Sequence, residues 1–487
     1  MSSDVVIGLD GLGALIQAAR ARGYRVLGPV VRDGAIVYAD VAGAEDLPRG
    51  WRDTQAPGRY HLDHYSPGRS DGSGRSDGSD GSDGSRRSDG SGRSDDGEAR
   101  KDEVFGWAVG PWSPKNEVFP PKMTVWRAKP PSFEVEEVAD DAPPVAFVGV
   151  RPCDLAALRV LDRALDRPDA TDPVYRRRRK KAFYVVAECT RPAATCFCVA
   201  MGTGPGVTDG FDIALTELRP AAMRSPASGP EPSTAGTAGA GPEGAGAGGL
   251  GGTGGGPEAG AGGPSGTGAG ALAGAGGVGA GAGAGAGPGG ASAAGTAAIE
   301  TGHRYLARAG SEEGRAVIES LPRRGAQPSE AGERVSLLAR AAAHMGRSVD
   351  TAGLPELLSR NLANPRWDEV ATRCLACGNC TAVCPTCFCA NFEDTTDLTG
   401  TVERRRVWAS CSDLAHSYVH GGPVRASIKS RYRQWATHKF SWWWDQFGGP
   451  GCVGCGRCIT WCPACIDITE EIAALRASDG AGIFTKG

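Results

Sequence analysis

The chain has 487 residues, with 53 Lys and Arg against 56 Asp and Glu and a net charge of -3, so no bulk attraction to nucleic acid or membrane is expected. The start, MSSDVVIGLDGLGALIQAARARGYRV, has no basic leader running into an apolar stretch and a small-residue cleavage site, so no signal peptide is read and a cytoplasmic location is expected. In a reducing compartment, 16 cysteines point to metal ligands or redox groups rather than disulfides.

In chain order, Asp10 is placed to cap a first helix whose Leu12, Leu15, Ile16 and Ala19 share one face. YRVLGPVVRDGAIVYADV then reads as two strands joined at Asp33-Gly34, a hairpin signal. Residues 66–100 are almost wholly Ser, Gly, Asp and Arg, with nothing apolar to offset the entropy of ordering the backbone, and predict a disordered insertion. FGWAVGPW resumes in a β-rich style, and VAFVGV (145–150) suits a buried strand, followed by the helix RPCDLAALRVLDRAL. The run YRRRRKK (175–181) reads as a solvated face or, alternatively, a docking patch for an acidic partner. A second buried strand, AFYVVAEC, leads into TRPAATCFCVAMGTGPG. MGTGPG does not follow a strand and open a helix, so it is read as a close-packed turn rather than a dinucleotide cradle.

Residues 219–300 are dominated by Gly and Ala, too poor in large apolar residues for a membrane span, and read as a second disordered insertion. The flanks GFDIALTELR and HRYLARAGSEEGRAVIESL predict a hairpin with an enlarged loop, because closure entropy grows only logarithmically with length. The fold class expected is α+β. An N-terminal α/β-type domain spans 1–65, 101–218 and 301–345, and a C-terminal helical dicluster ferredoxin-like domain spans 346–487, organised by metal rather than by a large apolar core.

Cys374, Cys377, Cys380 and Cys384 have the spacing C-x2-C-x2-C-x3-C followed by proline, and Cys452, Cys455, Cys458 and Cys462 repeat it. This is the bacterial ferredoxin run, in which three thiolates on a tight loop hold three corners of one 4Fe-4S cube and the fourth serves the other cube. One cluster is therefore assigned to Cys374, Cys377, Cys380 and Cys462, the other to Cys452, Cys455, Cys458 and Cys384; Gly378, Gly454 and Gly456 let the loops wrap closely. Zinc sites more often pair two short knuckles across a longer spacer.

Further upstream, Cys153 and Cys189 fall at the C-terminal ends of buried strands, and Cys196 and Cys198 follow in TCFC. These four form a candidate third cluster site, with inert core cysteines and zinc as the other readings. Cys387 and Cys389 share one side of an extended segment and face either a metal or the protein interior, Cys411 has no assigned role, and Cys465 is read as packing. Phe440, Trp442, Trp443, Trp444 and Phe447 are expected to cover the clusters.

Four stretches resemble a family: YRVLGPVVRDGAIVYADV, GVRPCDLAALRVLDRAL with ECTRPAATCFCVAMGTGP, RCLACGNCTAVCPTCFC, and HKFSWWWDQFGGPGCVGCGRCITWCP. They are similar to the iron-sulfur β subunits of cytosolic NiFe hydrogenases with sulfur-reducing activity, and to the related A subunit of anaerobic sulfite reductase. The resemblance implies a non-catalytic electron-transfer subunit between a flavin subunit that takes electrons from NAD(P)H and catalytic hydrogenase or reductase subunits. Cys465 stands where the family pattern leads one to expect glycine. From a different class, a zinc-stapled interaction module without redox activity stays open on the residues alone.

Overall fold

The computed structural model describes residues 4–65, 101–218 and 303–480; the two low-complexity segments fall outside the described residues. The main strands in chain order are β1 (Val5–Gly8), β2 (Arg25–Arg32), β3 (Ala35–Asp40), β4 (Trp51–Ala56), β5 (Arg59–His64), β6 (Lys122–Ala128), β7 (Val135–Glu137), β8 (Val145–Val150), β9 (Phe183–Ala187), β10 (Ile213–Leu218), β11 (Arg304–Ala309), β12 (Arg324–Gly325), β13 (Ala390–Thr396) and β14 (Val402–Trp408). Helices and sheets are mixed, in keeping with the α+β expectation.

The central sheet has the order β12-β1-β11-β10-β9-β8-β2-β3. Its middle, β10-β9-β8-β2, is parallel, and its margins are antiparallel. The parallel strands explain the unbroken apolar runs: β9 is buried along its whole length and β8 nearly so, because helices cover both faces. The first helix, Leu9–Ala21, buries Leu12, Leu15, Ile16 and Ala19 on one stripe. Asp10 does not cap it; Gly8 is the N-cap and Asp10 lies in the first turn, where a carboxylate still favours the helix dipole. Asp33 and Gly34 have φ of 52° and 72°, the left-handed pair that a two-residue hairpin turn needs.

β10 and β11 pair antiparallel from Ile213↔Ala309 to Leu218↔Arg304, so the strands flanking the second low-complexity segment form the expected hairpin. The basic run becomes the helix Pro173–Lys181, capped by the Asp172 side chain. Its four arginines are paired within the fold, while Lys180 and Lys181 stay exposed. Arg176 pairs with Asp166, Arg177 and Arg178 share Asp140, and Arg179 reaches Asp162.

The C-terminal part is helical apart from short strands, chiefly one hairpin, β13–β14, which pairs through β14 with β6 and so joins a sheet with N-terminal residues. Its ladder of seven paired residues carries charged partners such as Asp394 and Arg404, a pattern without apolar alternation. A larger apolar core than expected also forms there. Val349, Leu354, Leu357, Leu358, Trp367 and Ile472 pack into one buried cluster that also includes Phe197 from the N-terminal half.

At the C-terminal end of β9, Glu188 fixes the chain just before Cys189. Its carboxylate accepts from Val207 N, Thr216 Oγ1, Arg308 and Arg334, at 2.6–3.1 Å. Burial pushes this carboxyl up, but the hydrogen bonds from Arg334 and Thr216 and the charge of Arg308 outweigh it and hold it below the ordinary value. Its stabilising contribution is therefore present above the unfolded carboxylate pKa and is lost as pH falls through the depressed folded one. Glu188→Ala, which strands two part-buried arginines, is expected to cost about 3–5 kcal/mol at neutral pH. Urea unfolding should show the gap to wild type narrowing in acid; a gap independent of pH contradicts the assignment.

Candidate metal centre

The first cysteine loop lies between the helices Arg366–Arg373 and Asn379–Ala382. Gly378 opens the second of these with φ +80°, a backbone turn that lets Cys377 and Cys380 face a common space. A cavity of about 40 Å³ is lined by Cys374, Cys377, Cys380 and Cys462, with Cys458, Tyr432 and Trp435 beside them. A second cavity of about 20 Å³ is lined by Cys452, Cys455, Cys458 and Cys384, with Trp435, Lys439 and Phe440. Cys462 thus comes to the first loop and Cys384 to the second, while Cys458 borders both spaces.

Each set already receives backbone donors. Ala376 N donates to Cys374 Sγ at 3.4 Å, Ile466 N to Cys462 at 3.3 Å, Gly454 N to Cys452 at 3.4 Å and Thr386 N to Cys384 at 3.4 Å. Such N–H···S contacts are among the levers that set cluster potentials. Among the described residues no three His, Cys, Asp or Glu side chains draw together as ligands of a single ion do. Eight thiols spread around two cavities suit cubes, whose irons are distributed, better than one closed zinc tetrahedron.

The second set is buried deeper. Cys384 and Cys455 are buried, whereas Cys377 of the first set is exposed beside exposed Leu375. Two lysines without a signal in the sequence serve the second site, one lining its cavity and one holding the backbone behind it. Lys439 Nζ donates to Cys384 Sγ at 3.1 Å, Thr386 Oγ1 at 2.9 Å and Gly451 O at 3.2 Å. Burial works to lower its pKa, but the sulfurs of Cys384, Cys387 and Cys452 outweigh it, so the ammonium stays charged. A π-helical turn over His438–Trp442 faces Lys439 inward. Lys115 Nζ donates to the carbonyls of Cys384 and Cys387 and lies 3.7 Å from the Trp408 ring centre; burial pushes it down to about 8. The Cys384 thiol is held well below its ordinary value, first by a hydrogen bond from Cys387, with Lys439 and Thr386 adding. By contrast, burial pushes Cys452 up to about 12.

The N-terminal cysteines sit against this second loop. Cys153 begins the helix Pro152–Leu165, and it packs with Cys198, Cys455 and Trp443. Cys196 and Cys198 occupy the turn after Cys189; burial raises both thiols first, and the nearby Cys189 sulfur adds to each. Buried Arg151 ties the end of β9 to the 105–108 segment by donating to the carbonyls of Ala187, Phe105, Trp107 and Ala108. Asp154 and Arg457 form a buried ion pair at 2.7 Å, and Phe197 N donates to Gly454 O at 2.8 Å. Thr203 in MGTGPG donates to Val453 O at 2.6 Å, which explains its compact turn.

Of the five aromatics expected over the clusters, Phe440 lines the second cavity, while Trp444 is exposed. Trp435, with Cys458 and Ile468, lines both cavities, and it lies outside the aromatic run Phe440–Phe447. Cys465 has φ +53° and is exposed, which accounts for the expectation of glycine at its position.

Residues 373–466 match the 4Fe-4S dicluster domain family. Over 369 residues the chain is 28% identical to sulfhydrogenase 2 subunit beta of Pyrococcus furiosus, covering 74% of this chain and 83% of that protein. The chain is thus similar to a sulfhydrogenase β subunit over most of its length. No solved structure matches it. Among the described residues no helix is long and apolar enough to cross a membrane.

Gly454 has φ +66°, and a Cβ there meets the Phe197 carbonyl oxygen at 2.6 Å. Gly454→Ala is expected to lower stability by about 2 kcal/mol or more, through backbone strain and the clash with the Cys196–Cys198 turn. Denaturant midpoints of the anaerobic holoprotein measure it, and an unchanged midpoint rules out the close approach.

Proposed function

We propose that this chain is a relay subunit that passes single electrons between a flavin subunit using NAD(P)H and the catalytic subunits of a NiFe hydrogenase or sulfur reductase. The observation that carries this reading is the pair of four-cysteine cavities bordered in common by Cys458 and Trp435. The dicluster match and the sulfhydrogenase relative support it. Cys374, Cys377, Cys380 and Cys462 would hold one 4Fe-4S cluster, and Cys452, Cys455, Cys458 and Cys384 the other. Cys153, Cys189, Cys196 and Cys198 would hold a third. When bound, such clusters supply one-electron exchange over a wide range of potentials.

The residues of the chain do the rest. Exposed Cys377 and Leu375 bring the first site to the surface, where a partner subunit can approach it. Trp435, Phe440 and Ile468 wall the second site from water, which strengthens electrostatic effects inside it. Lys439 places a fixed positive charge against Cys384 and favours the more reduced, more negative state of whatever Cys384 ligates. Phe197, Thr195 and Arg457 hold the N-terminal cysteines against the second loop.

Oxygen-free purification of the full chain is expected to bring down a flavin-containing subunit and a NiFe subunit. The chain alone should be reduced by dithionite and should not be reduced by NAD(P)H; direct reduction by the nicotinamide overturns the relay assignment. Cys196→Ser with Cys198→Ser should remove about four irons per chain, one cube's worth, and leave the dicluster signals. Unchanged iron would overturn the N-terminal ligand set alone. Lys439→Met is expected to lower the potential of the second-site cluster by about 100 mV, because one buried positive charge is lost. An EPR-monitored redox titration reads that shift, and an unshifted midpoint removes the role given to Lys439.

A further inference from the structure

A third cavity, of about 80 Å³, lies beside the two just described and is larger than either. Its lining includes Cys387, Cys389 and Cys411, the imidazoles of His416 and His438, and Lys439. Three thiols from two separate segments therefore meet one space: Cys387 and Cys389 flank Phe388 just before β13, and Cys411 follows β14. The β13–β14 pairing makes the meeting, since Ala409 N donates to Cys389 O at 2.8 Å just beyond the last paired residues, Ala390 and Trp408.

His416 Nδ1 is buried at this cavity without a hydrogen-bond partner. A buried nitrogen lacking a partner is costly, and a metal removes that cost. His438 is accounted for by Gln446 at 3.2 Å.

We propose that Cys387, Cys389 and Cys411, with His416 as the fourth ligand, bind an additional iron-sulfur cluster beside the dicluster. Three thiols and an imidazole are a donor set used by both iron-sulfur clusters and zinc. The size of the space favours the cluster. A zinc ion draws its ligands in to about 2.0–2.3 Å and leaves no void among them. These side chains stand around an open volume and, like the eight dicluster cysteines, do not converge on a single-ion point. The site shares Trp435 and Lys439 with the second dicluster cavity, so an electron held there has a short path to the others.

The test uses the full chain, purified without oxygen, with iron, acid-labile sulfide and zinc measured per chain and EPR recorded after dithionite. Cys389→Ser with Cys411→Ser is expected to lose about four irons and four sulfides while the dicluster signals persist. Those persisting signals separate this outcome from a failure of the relay assignment. Unchanged iron and sulfide overturn the proposal, as does loss of about one zinc with no loss of iron. Should the double variant fail to fold, His416→Gln and the wild type provide an independent reading. The reduced wild type is expected to show a hyperfine-coupled imidazole nitrogen on a cluster signal, absent in His416→Gln; its absence in the wild type overturns the proposal.

Discussion

The buried ion pair between Asp154 and Arg457 joins what would otherwise be two separate cysteine centres. Both side chains are almost wholly excluded from solvent, and Arg457 also donates to the carbonyls of Gly110 and Trp112. Asp154 is the residue after Cys153, and Arg457 stands between Cys455 and Cys458. Removing either partner would leave an uncompensated charge in the interior, which is strongly destabilising. The pair therefore sets the register between the C-terminal edge of the parallel sheet and the second cysteine loop.

The glycines enforce that register. Gly454 and Gly456 have positive φ, and both approach backbone carbonyls of the 195–197 segment so closely that a side chain has no room. The cysteine loop thus does two jobs. It wraps sulfur around a cavity on one side, and on the other it forms a flat face against which the N-terminal turn lies. Lys439 adds a third constraint, because a fixed ammonium against Cys384 is stable only where several sulfurs and carbonyls offset its desolvation.

Charge elsewhere is used locally. The arginines of the helix Pro173–Lys181, which resemble a docking patch in sequence, are consumed by Asp140, Asp162 and Asp166. Arg406 of β14 pairs with Asp172 at the start of that helix and fastens the C-terminal hairpin to the sheet layer. That pair works beside the apolar clusters that also span the two halves, where Phe197 packs with Trp367 and Ile459, and Val109 and Val160 pack with Trp443 and Val453.

Local signals in the sequence determined the parallel strands, the Asp33-Gly34 turn, the β10–β11 hairpin and the two ferredoxin-type cysteine runs, because each depends on neighbouring residues or a short fixed spacing. The apolar run of β8 and the cysteine spacing need no knowledge of distant parts. Tertiary structure alone decided that Trp435 would border the cavities, that Lys439 would line one of them with Lys115 against the backbone of Cys384, and that Cys411 would join Cys387 and Cys389. Those contacts link residues far apart in sequence, and the charged residues of β13–β14, such as Asp394 and Arg404, leave no apolar periodicity to read. A side chain's chemistry is local, but the company it keeps is set by how the sheet and loops close.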